Sequence, residues 1–492
     1  MSRNGRRLDP AQSALPTLVG YVVGESRPYQ ATVIAFRPLM LGEYLYLEYH
    51  GYSVLAMVQS TLTGSPVIND NVLDPRDVER LIKYVRSGER VFYHRGTIKI
   101  LGEVSGSRFV IPPVPPPPGT EVYEAPKSIL SRVFRPSGDE YVRIGVLLRA
   151  PDVEVRVNIN KVVSRHLAVL AMTGMGKSNL VALLAKRVAE LGGTIVIFDY
   201  HGEYTSMRFR SVFVNVIRPT LNPRRLSLEE LARMLNVRSN ASRQRMVLYE
   251  CFEHVKGDQQ PFFDSLKRCL QSRIARHGAP AQKVLESVVA YESFLSKILR
   301  DGEPDVLDRL AIGAINVVDL SELHTHQADA VVAHWLHRLL EARKEWVWSG
   351  GRRGLPVPVI AVIEEAHAFI SSDEETATRS AAESIAREGR KFGVGLVIVS
   401  QRPRGLDPNI LSQMGNLAVM KIVHPEDQSY IAKHCEPITQ DIIEELPGLN
   451  VGEAILLGEW VRAPSVVKID LVAEKTVGMD VDAVSAWRGA KL

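Results

Sequence analysis

The sequence predicts an α/β protein: a mainly parallel sheet wrapped by helices, preceded by an antiparallel β-barrel and interrupted by a helical bundle. Three observations predict it. Beyond about residue 140, short apolar runs at 167–171, 194–198, 314–320, 357–363 and 395–400 alternate with long segments of helical period, as strands buried on both faces do. Before residue 110 the apolar residues instead form short runs rich in Val, Ile, Tyr and Thr. Between these regions, six of the seven residues 112–118 are proline.

Residues 1–16 are polar and are expected to lack order. Segments at 29–37, 43–49, 53–60 and 90–100, with turns such as His50-Gly51, place a barrel or sandwich over 17–111. Proline offers no backbone donor to a ladder, so 112–138 reads as an extended, polyproline-like linker. The α/β core then occupies 139–221 and 305–473. Between its halves, 226–235, 241–255, 262–276 and 281–299 carry apolar residues at three- and four-residue spacing, which predicts an inserted helical bundle over 222–304.

At 492 residues, roughly two to four domains are expected. Hydrophobic residues at 45% and charged residues at 24% allow a large core. The net charge of +4 is mildly basic and permits nucleic-acid binding only if positive charge is locally concentrated. Cys251, Cys269 and Cys435 form no CxxC pair, so neither a disulfide framework nor a zinc site is expected, and a reducing cytoplasm fits. The basic N-terminus lacks a following apolar stretch, so no signal peptide is expected. No apolar run reaches the roughly 18 residues of a membrane-spanning helix.

The chemistry starts at 167–179. An apolar strand runs into Ala171-Met172-Thr173-Gly174-Met175-Gly176-Lys177-Ser178-Asn179, and a helix over 180–191 follows. That is the context of a phosphate-binding loop. Gly174 and Gly176 let the backbone turn its N–H groups toward phosphate oxygens, and the helix N-terminus adds its positive dipole end. Thr173 to Asn179 are therefore expected around a nucleotide, with Lys177 bridging the β- and γ-phosphates and Ser178 on Mg2+. Ala171 stands where the usual pattern has glycine; it ends a strand and need not take positive φ.

The strand at 357–363 ends in Glu364-Glu365. Alternation aims the two carboxylates differently. Glu364 is expected at the metal, and Glu365 is expected to polarise the attacking water. Gln401 follows a third apolar strand, where an amide can meet the γ-phosphate or the water. Arg387 and Arg390 share one face of a helix over 376–391 and are candidate fingers for a neighbouring subunit's site. Arg143 is a weaker candidate, either as a finger or as a nucleotide contact. Asp199 and Glu203 close another strand and stand either near the phosphate end of the sheet or as a turn with Asp as a cap; a packed or solvated imidazole is the plainer reading of His201. Basic residues interleave with apolar ones at 207–210 and with tryptophans at 343–353, the latter read as a flexible loop; both are weak candidates for DNA contact.

The motifs TGMGKSN, FDYHGEY, VIEEAH, AREGRKFG and VSQRP, in this order, resemble the HerA branch of the HerA–FtsK ATPases. The resemblance spans about 17–475; LPGLNVGEA at 446–454 also fits. The acid pair Glu364-Glu365 and Ala171 are departures from the common P-loop pattern. The resemblance implies a RecA-like P-loop core, an N-terminal barrel shared with ATP-synthase subunits, and ATP with Mg2+ as cofactors. It further implies a homo-hexameric ring that threads double-stranded DNA, and a NurA-type nuclease docked on the barrel for end resection. The tail 474–492, with Trp487, would brace an adjacent subunit or hang loose. Two other classes stay open: a rotary or secretion ATPase indifferent to DNA, and a nucleotide-assembled ring scaffold without catalysis.

Overall fold

The computed structural model describes residues 16–72, 74–85, 92–104 and 109–474. The expectations for the N-terminal 15 residues and for 475–492, Trp487 included, lie outside the described residues.

The chain opens with β1 (Leu18–Arg27), β2 (Gln30–Ala35), β3 (Tyr44–Tyr49), β4 (Tyr52–Gly64), α1 (Pro75–Val85), β5 (Tyr93–Glu103) and β6 (Glu121–Glu124). The strands close a barrel in the order β1-β2-β5-β4-β3-β6. The closing strand β6 comes from the segment read as a linker, and it pairs antiparallel with both β1 and β3. The proline run 112–118 joins no ladder, and backbone pairing with β1 begins at the first residues after it that own an N–H. Gly119 N donates to Val22 O at 2.8 Å, and Val22 N donates to Thr120 O at 2.9 Å. The linker is thus part of the barrel wall, and its second half folds as α2 (Lys127–Phe134).

Strands β3 and β4 are apolar on both faces. Leu45, Leu47, Val54, Ala56 and Val58 fill the barrel. Tyr44, Tyr46, Leu55 and Met57 face outward into the core cluster that includes α2, and Tyr44 lies 4.9 Å from the Phe134 ring. Each such side chain is worth roughly 1.5–3 kcal/mol of burial, which fastens the barrel to the core.

The core begins with the hairpin β7 (Tyr141–Leu147) and β8 (Ala150–Asn158), then α3 (Ile159–Arg165), β9 (Leu167–Leu170), α4 (Lys177–Glu190), β10 (Thr194–Asp199) and β11 (Val214–Ile217). Four helices follow: α5 (Leu228–Met234), α6 (Ser242–Lys256), α7 (Phe262–His277) and α8 (Ala279–Leu295). After them come β12 (Ile315–Asp319), α9 (Thr325–Trp348), β13 (Val359–Ile363), α10 (Ala377–Phe392), β14 (Val394–Ser400), α11 (Pro408–Ser412), β15 (Asn416–Val419), α12 (Pro425–His434), α13 (Gln440–Glu445), β16 (Glu453–Gly458) and β17 (Ser465–Ile469). Among the described residues these strands form one sheet of eleven, in the order β11-β12-β10-β13-β14-β9-β15-β16-β17-β7-β8. From β11 to β15 the pairs are parallel; from β15 to β8 they are antiparallel.

Alternate residues of the central strands feed two cores. Ala168, Leu170, Val196 and Phe198 face α9, α10 and the helices between β11 and β12. Leu167, Val169, Ile195 and Ile197 face α4 and α2. The ends of the helical insertion are zipped together, since Leu221 N donates to Ile298 O at 2.7 Å and Arg300 N to Leu221 O at 2.9 Å. The stretch 343–348, read as loop, is the last turns of α9, and Arg343 is buried with its guanidinium on the carbonyls of Phe392 and Leu355.

The cysteine reading is corrected in the same bundle. Cys251 on α6 and Cys269 on α7 form a disulfide across a sequence separation of 18. Both face the interior of an antiparallel helix pair, a relation no short spacing motif encodes. Cys435 is free and buried. A crosslink closing a loop of this size is worth about 3 kcal/mol by loop entropy. A non-reducing peptide map is therefore expected to show the 251 and 269 peptides joined, and dithiothreitol is expected to lower the unfolding temperature of the wild type. A Cys251→Ala/Cys269→Ala variant should show no response to the reductant.

Candidate nucleotide site

The order β10-β13-β14-β9 lines up four strand carboxyl ends, the edge where open α/β sheets bind ligands. Each end delivers one part of the site. From β9 comes the loop 171–176, with Gly174 at φ 77 and Gly176 at φ 103 as the N-cap of α4. Both angles belong to the left-handed region that glycine enters freely. Thr173 and Gly174 are exposed, and a Cβ added at Gly174 would meet nothing within 4 Å. The loop is tied at both sides: Ala171 N donates to Ser400 O at 3.2 Å, and Gly452 N donates to Met175 O at 3.0 Å.

Lys177 is buried, and its Nζ donates to the carbonyls of Ala171 and Met172, each at 3.4 Å. Burial lowers its pKa, while Glu365 and Glu364 pull it back up. The acid pair therefore lies within electrostatic reach of the lysine, although β14 separates their strands. Half-buried Ser178 follows it as the second residue of α4.

Glu364 is buried at the end of β13 and accepts a hydrogen bond from the Tyr204 hydroxyl. Burial pushes its pKa up to about 7; the Tyr204 bond opposes the rise, and Glu203 and Glu365 add to it. Glu365 is 9% exposed and takes φ 47, a left-handed conformation that costs a non-glycine residue about 1–3 kcal/mol. Its Oε2 lies 3.3 Å from His367 Nδ1 as an ion-pair contact without hydrogen-bond geometry, and its Oε1 lies 3.8 Å from His201 Nε2. Among the described residues, Glu365 Oε2 has no hydrogen-bond partner. Burial lowers the His367 pKa against the pull of Glu365. Gln401, at the end of β14, accepts a hydrogen bond from Thr173 Oγ1, which links the third strand to the loop.

Other residues fall elsewhere. Arg143 is held by Asp470 at 2.8 and 3.1 Å and by Glu154 at 3.1 Å, so its guanidinium is spent on the β7–β17 side of the sheet and is not presented to a nucleotide. The Asn179 amide donates to Asp470 O and accepts from Val472 N, each at 2.9 Å; its side chain staples α4 to the end of the core. Asp199 caps the turn, accepting from Glu203 N at 3.0 Å and Tyr204 N at 2.8 Å. Arg387 and Arg390 are exposed at the C-terminal end of α10, just before β14 begins, at the edge of the sheet opposite the loop. Arg387 pairs with Glu383 at 2.6 Å. Neither can reach the P-loop of its own chain.

Residues 142–339 match the family model described as "Helicase HerA, central domain", and residues 19–106 match the HAS barrel domain. The chain is 40% identical over 488 residues to the DNA double-strand break repair helicase HerA of Saccharolobus solfataricus, covering 96% of each. It is 40% identical over 490 residues to the protein of the same name from Sulfolobus acidocaldarius, covering 96% of this chain and 97% of that one. The chain belongs to the HerA helicase family. The fold of this HerA-family chain is also that of VirB4 of Thermoanaerobacter pseudethanolicus, at TM-score 0.52 and 16% identity over 68% of this chain and 98% of that one. It is likewise the fold of the plasmid coupling protein TrwB in complex with ADP and Mg2+, at TM-score 0.50 and 14% identity over 71% and 92%.

Two contacts around the acid pair went unread in the sequence of this HerA-family chain: Tyr204 on Glu364 and His367 on Glu365. Tyr204 is five residues past a strand end, and only the adjacency of β10 and β13 brings it to an acid 160 positions away. His367 carried a signal, since it follows the acid pair by two positions.

The raised pKa of Glu364 has a stability consequence. The folded state keeps a proton that an unfolded glutamate, at 4.5, releases. Stability from this group is full below pH 4.5 and is lost as pH rises through about 7, by about 3 kcal/mol. Thermal unfolding of nucleotide-free Glu364→Gln against wild type should show the variant gaining relative stability at pH 8. That advantage should be absent at pH 4.5 to 5.

Proposed function

We propose that this chain is the motor subunit of an ATP-driven, ring-shaped DNA helicase and translocase that acts in double-strand break repair. Support comes from near full-length relatives that carry that name, and above all from one arrangement: Lys177, Glu364, Glu365 and Gln401 converge from three neighbouring strand ends on an open glycine loop.

The mechanism follows from the residues. Amides of 174–178 and the N-terminus of α4 bind the phosphates of ATP. Lys177 releases its own loop carbonyls and moves its ammonium onto the β- and γ-phosphates. Ser178 and Glu364 are the residues that would hold Mg2+; a hydroxyl and a buried carboxylate are hard-oxygen donors of the kind it takes. The ion supplies charge neutralisation on the phosphate oxygens. Glu365 Oε2, which makes no hydrogen bond and has His367 Nδ1 at 3.3 Å, accepts the proton of the attacking water as the water's oxygen bonds to the γ-phosphorus and ADP leaves. Gln401 exchanges its bond with Thr173 for one to the γ-phosphate or the water. Arg387 and Arg390 face away from their own site and so suit a finger in trans, which couples hydrolysis to the subunit boundary.

The ring is read as a homo-hexamer around double-stranded DNA. DNA is held mainly through phosphates, so binding is sequence-independent and weakens with salt. The barrel suits a NurA-type nuclease as partner, because Ile34, Phe36 and Leu62 are 41%, 54% and 53% exposed on its surface. No helix among the described residues is long and apolar enough to cross a membrane. A cytoplasmic place beside DNA is proposed on the DNA-repair reading alone, since the Cys251–Cys269 disulfide removes the cysteine argument for a reducing compartment.

ATPase assays with and without double-stranded DNA ends at two salt concentrations test the motor. DNA should stimulate turnover, less so at the higher salt; indifference to DNA would favour a rotary-type or scaffold role. Lys177→Ala should abolish hydrolysis. Glu365→Gln should retain ATP binding while turnover drops at least about 100-fold, as removal of a general base does.

A further inference from the structure

We propose that Tyr204 is a positioning residue for the metal-side carboxylate of the nucleotide site: its hydroxyl claims Oε1 of Glu364 and presents the remaining oxygen to the magnesium ion that accompanies the nucleotide. The inference rests on the reading of Glu364 as the acid on the metal side.

The loop after β10 is built to hold this contact. Both carboxylate oxygens of buried Asp199 are spent on it, Oδ1 on Glu203 N at 3.0 Å and Oδ2 on Tyr204 N at 2.8 Å. Two residues before Tyr204 in this turn, Gly202 takes φ 72, which tightens it. At the start of the loop, Tyr200 donates to or accepts from Thr325 Oγ1 at 2.9 Å and sets its ring edge-on to Phe369 at 5.3 Å. Tyr204 itself is 1% exposed, within the hydrophobic cluster on the α4 side of the sheet that also holds Ile197 and Met207. Its ring has no freedom to follow Glu364 if the carboxylate turns.

Glu364 needs such a hold. It is a buried carboxylate beside two more, Glu203 and Glu365, with the Lys177 cation near it. A glutamate's terminal torsion is soft. With no donor on one oxygen, the carboxylate would swing toward Lys177 and compete with the phosphates for it. A hydroxyl fixed by packing keeps one oxygen occupied and leaves the other for the metal. Partners that orient a metal-side ligand in this way typically change metal affinity by about 10–100-fold when removed.

The test uses the full-length chain and reads binding. ADP affinity is measured by calorimetry in EDTA and across a Mg2+ titration, for wild type, Tyr204→Phe, Glu364→Gln and the double variant. Tyr204→Phe keeps the ring and removes only the hydroxyl. The expected result is a Mg2+ midpoint raised about tenfold in Tyr204→Phe, with ADP affinity in EDTA within about twofold of wild type. The double variant should lose no more Mg2+ response than Glu364→Gln alone, because Tyr204 acts through that acid. An unchanged Mg2+ midpoint in Tyr204→Phe alongside a shifted one in Glu364→Gln overturns the inference and leaves the site reading standing. A wild-type midpoint in Glu364→Gln overturns the reading of Glu364 itself. Loss of ADP binding in EDTA, or additive losses in the double variant, assigns Tyr204 a role in packing only and also overturns the inference.

Discussion

The site exists because several like charges are buried beside one lysine at the edge of a sheet. Lys177 sits among Glu364, Glu365 and Glu203 at the carboxyl ends of strands that carry no polar residue for most of their length. Taking such charges out of water is costly unless they are paired or neutralised. Here the cost is met locally: Lys177 leans on loop carbonyls, Glu364 takes the Tyr204 hydroxyl and an elevated pKa, and Glu365 lies 3.3 Å from His367 Nδ1. The same edge carries the left-handed backbone of Glu365 and a lysine folded back on its own loop.

The surrounding architecture holds that edge still. Residues of β9, β10, β13 and β14 are fully buried, and two hydrophobic cores clamp the sheet from both sides. The antiparallel half of the sheet continues past β9 and returns the chain to the loop, where Gly452 braces Met175. The barrel is attached through β3 and β4, whose outward residues belong to the same cluster as α4. Helix α4 and the face on which the barrel rests therefore share one packed core.

Arginine placement separates roles that look alike in a sequence. Arg143 is consumed by Asp470 and Glu154, and Arg343 by two carbonyls. Arg387 and Arg390 stand exposed at the far edge of the sheet. Charge alone does not separate them before folding. Only the folded structure tells an arginine spent on buried partners from one left at the surface.

The phosphate loop, the acid pair after β13, the glutamine after β14 and the order of buried strands were legible in the sequence, because each is written in a contiguous stretch by local rules. Glycine permits positive φ at 174 and 176, apolar runs mark two-faced strands, and polar residues at their ends mark the open edge. The closure of the barrel by Glu121–Glu124, the antiparallel half of the sheet, the Cys251–Cys269 crosslink and the hold of Tyr204 on Glu364 were decided by tertiary structure alone. Each joins segments that share no period or motif. They meet because buried backbone groups, thiols and a hydroxyl find partners only once long-range packing has chosen their neighbours.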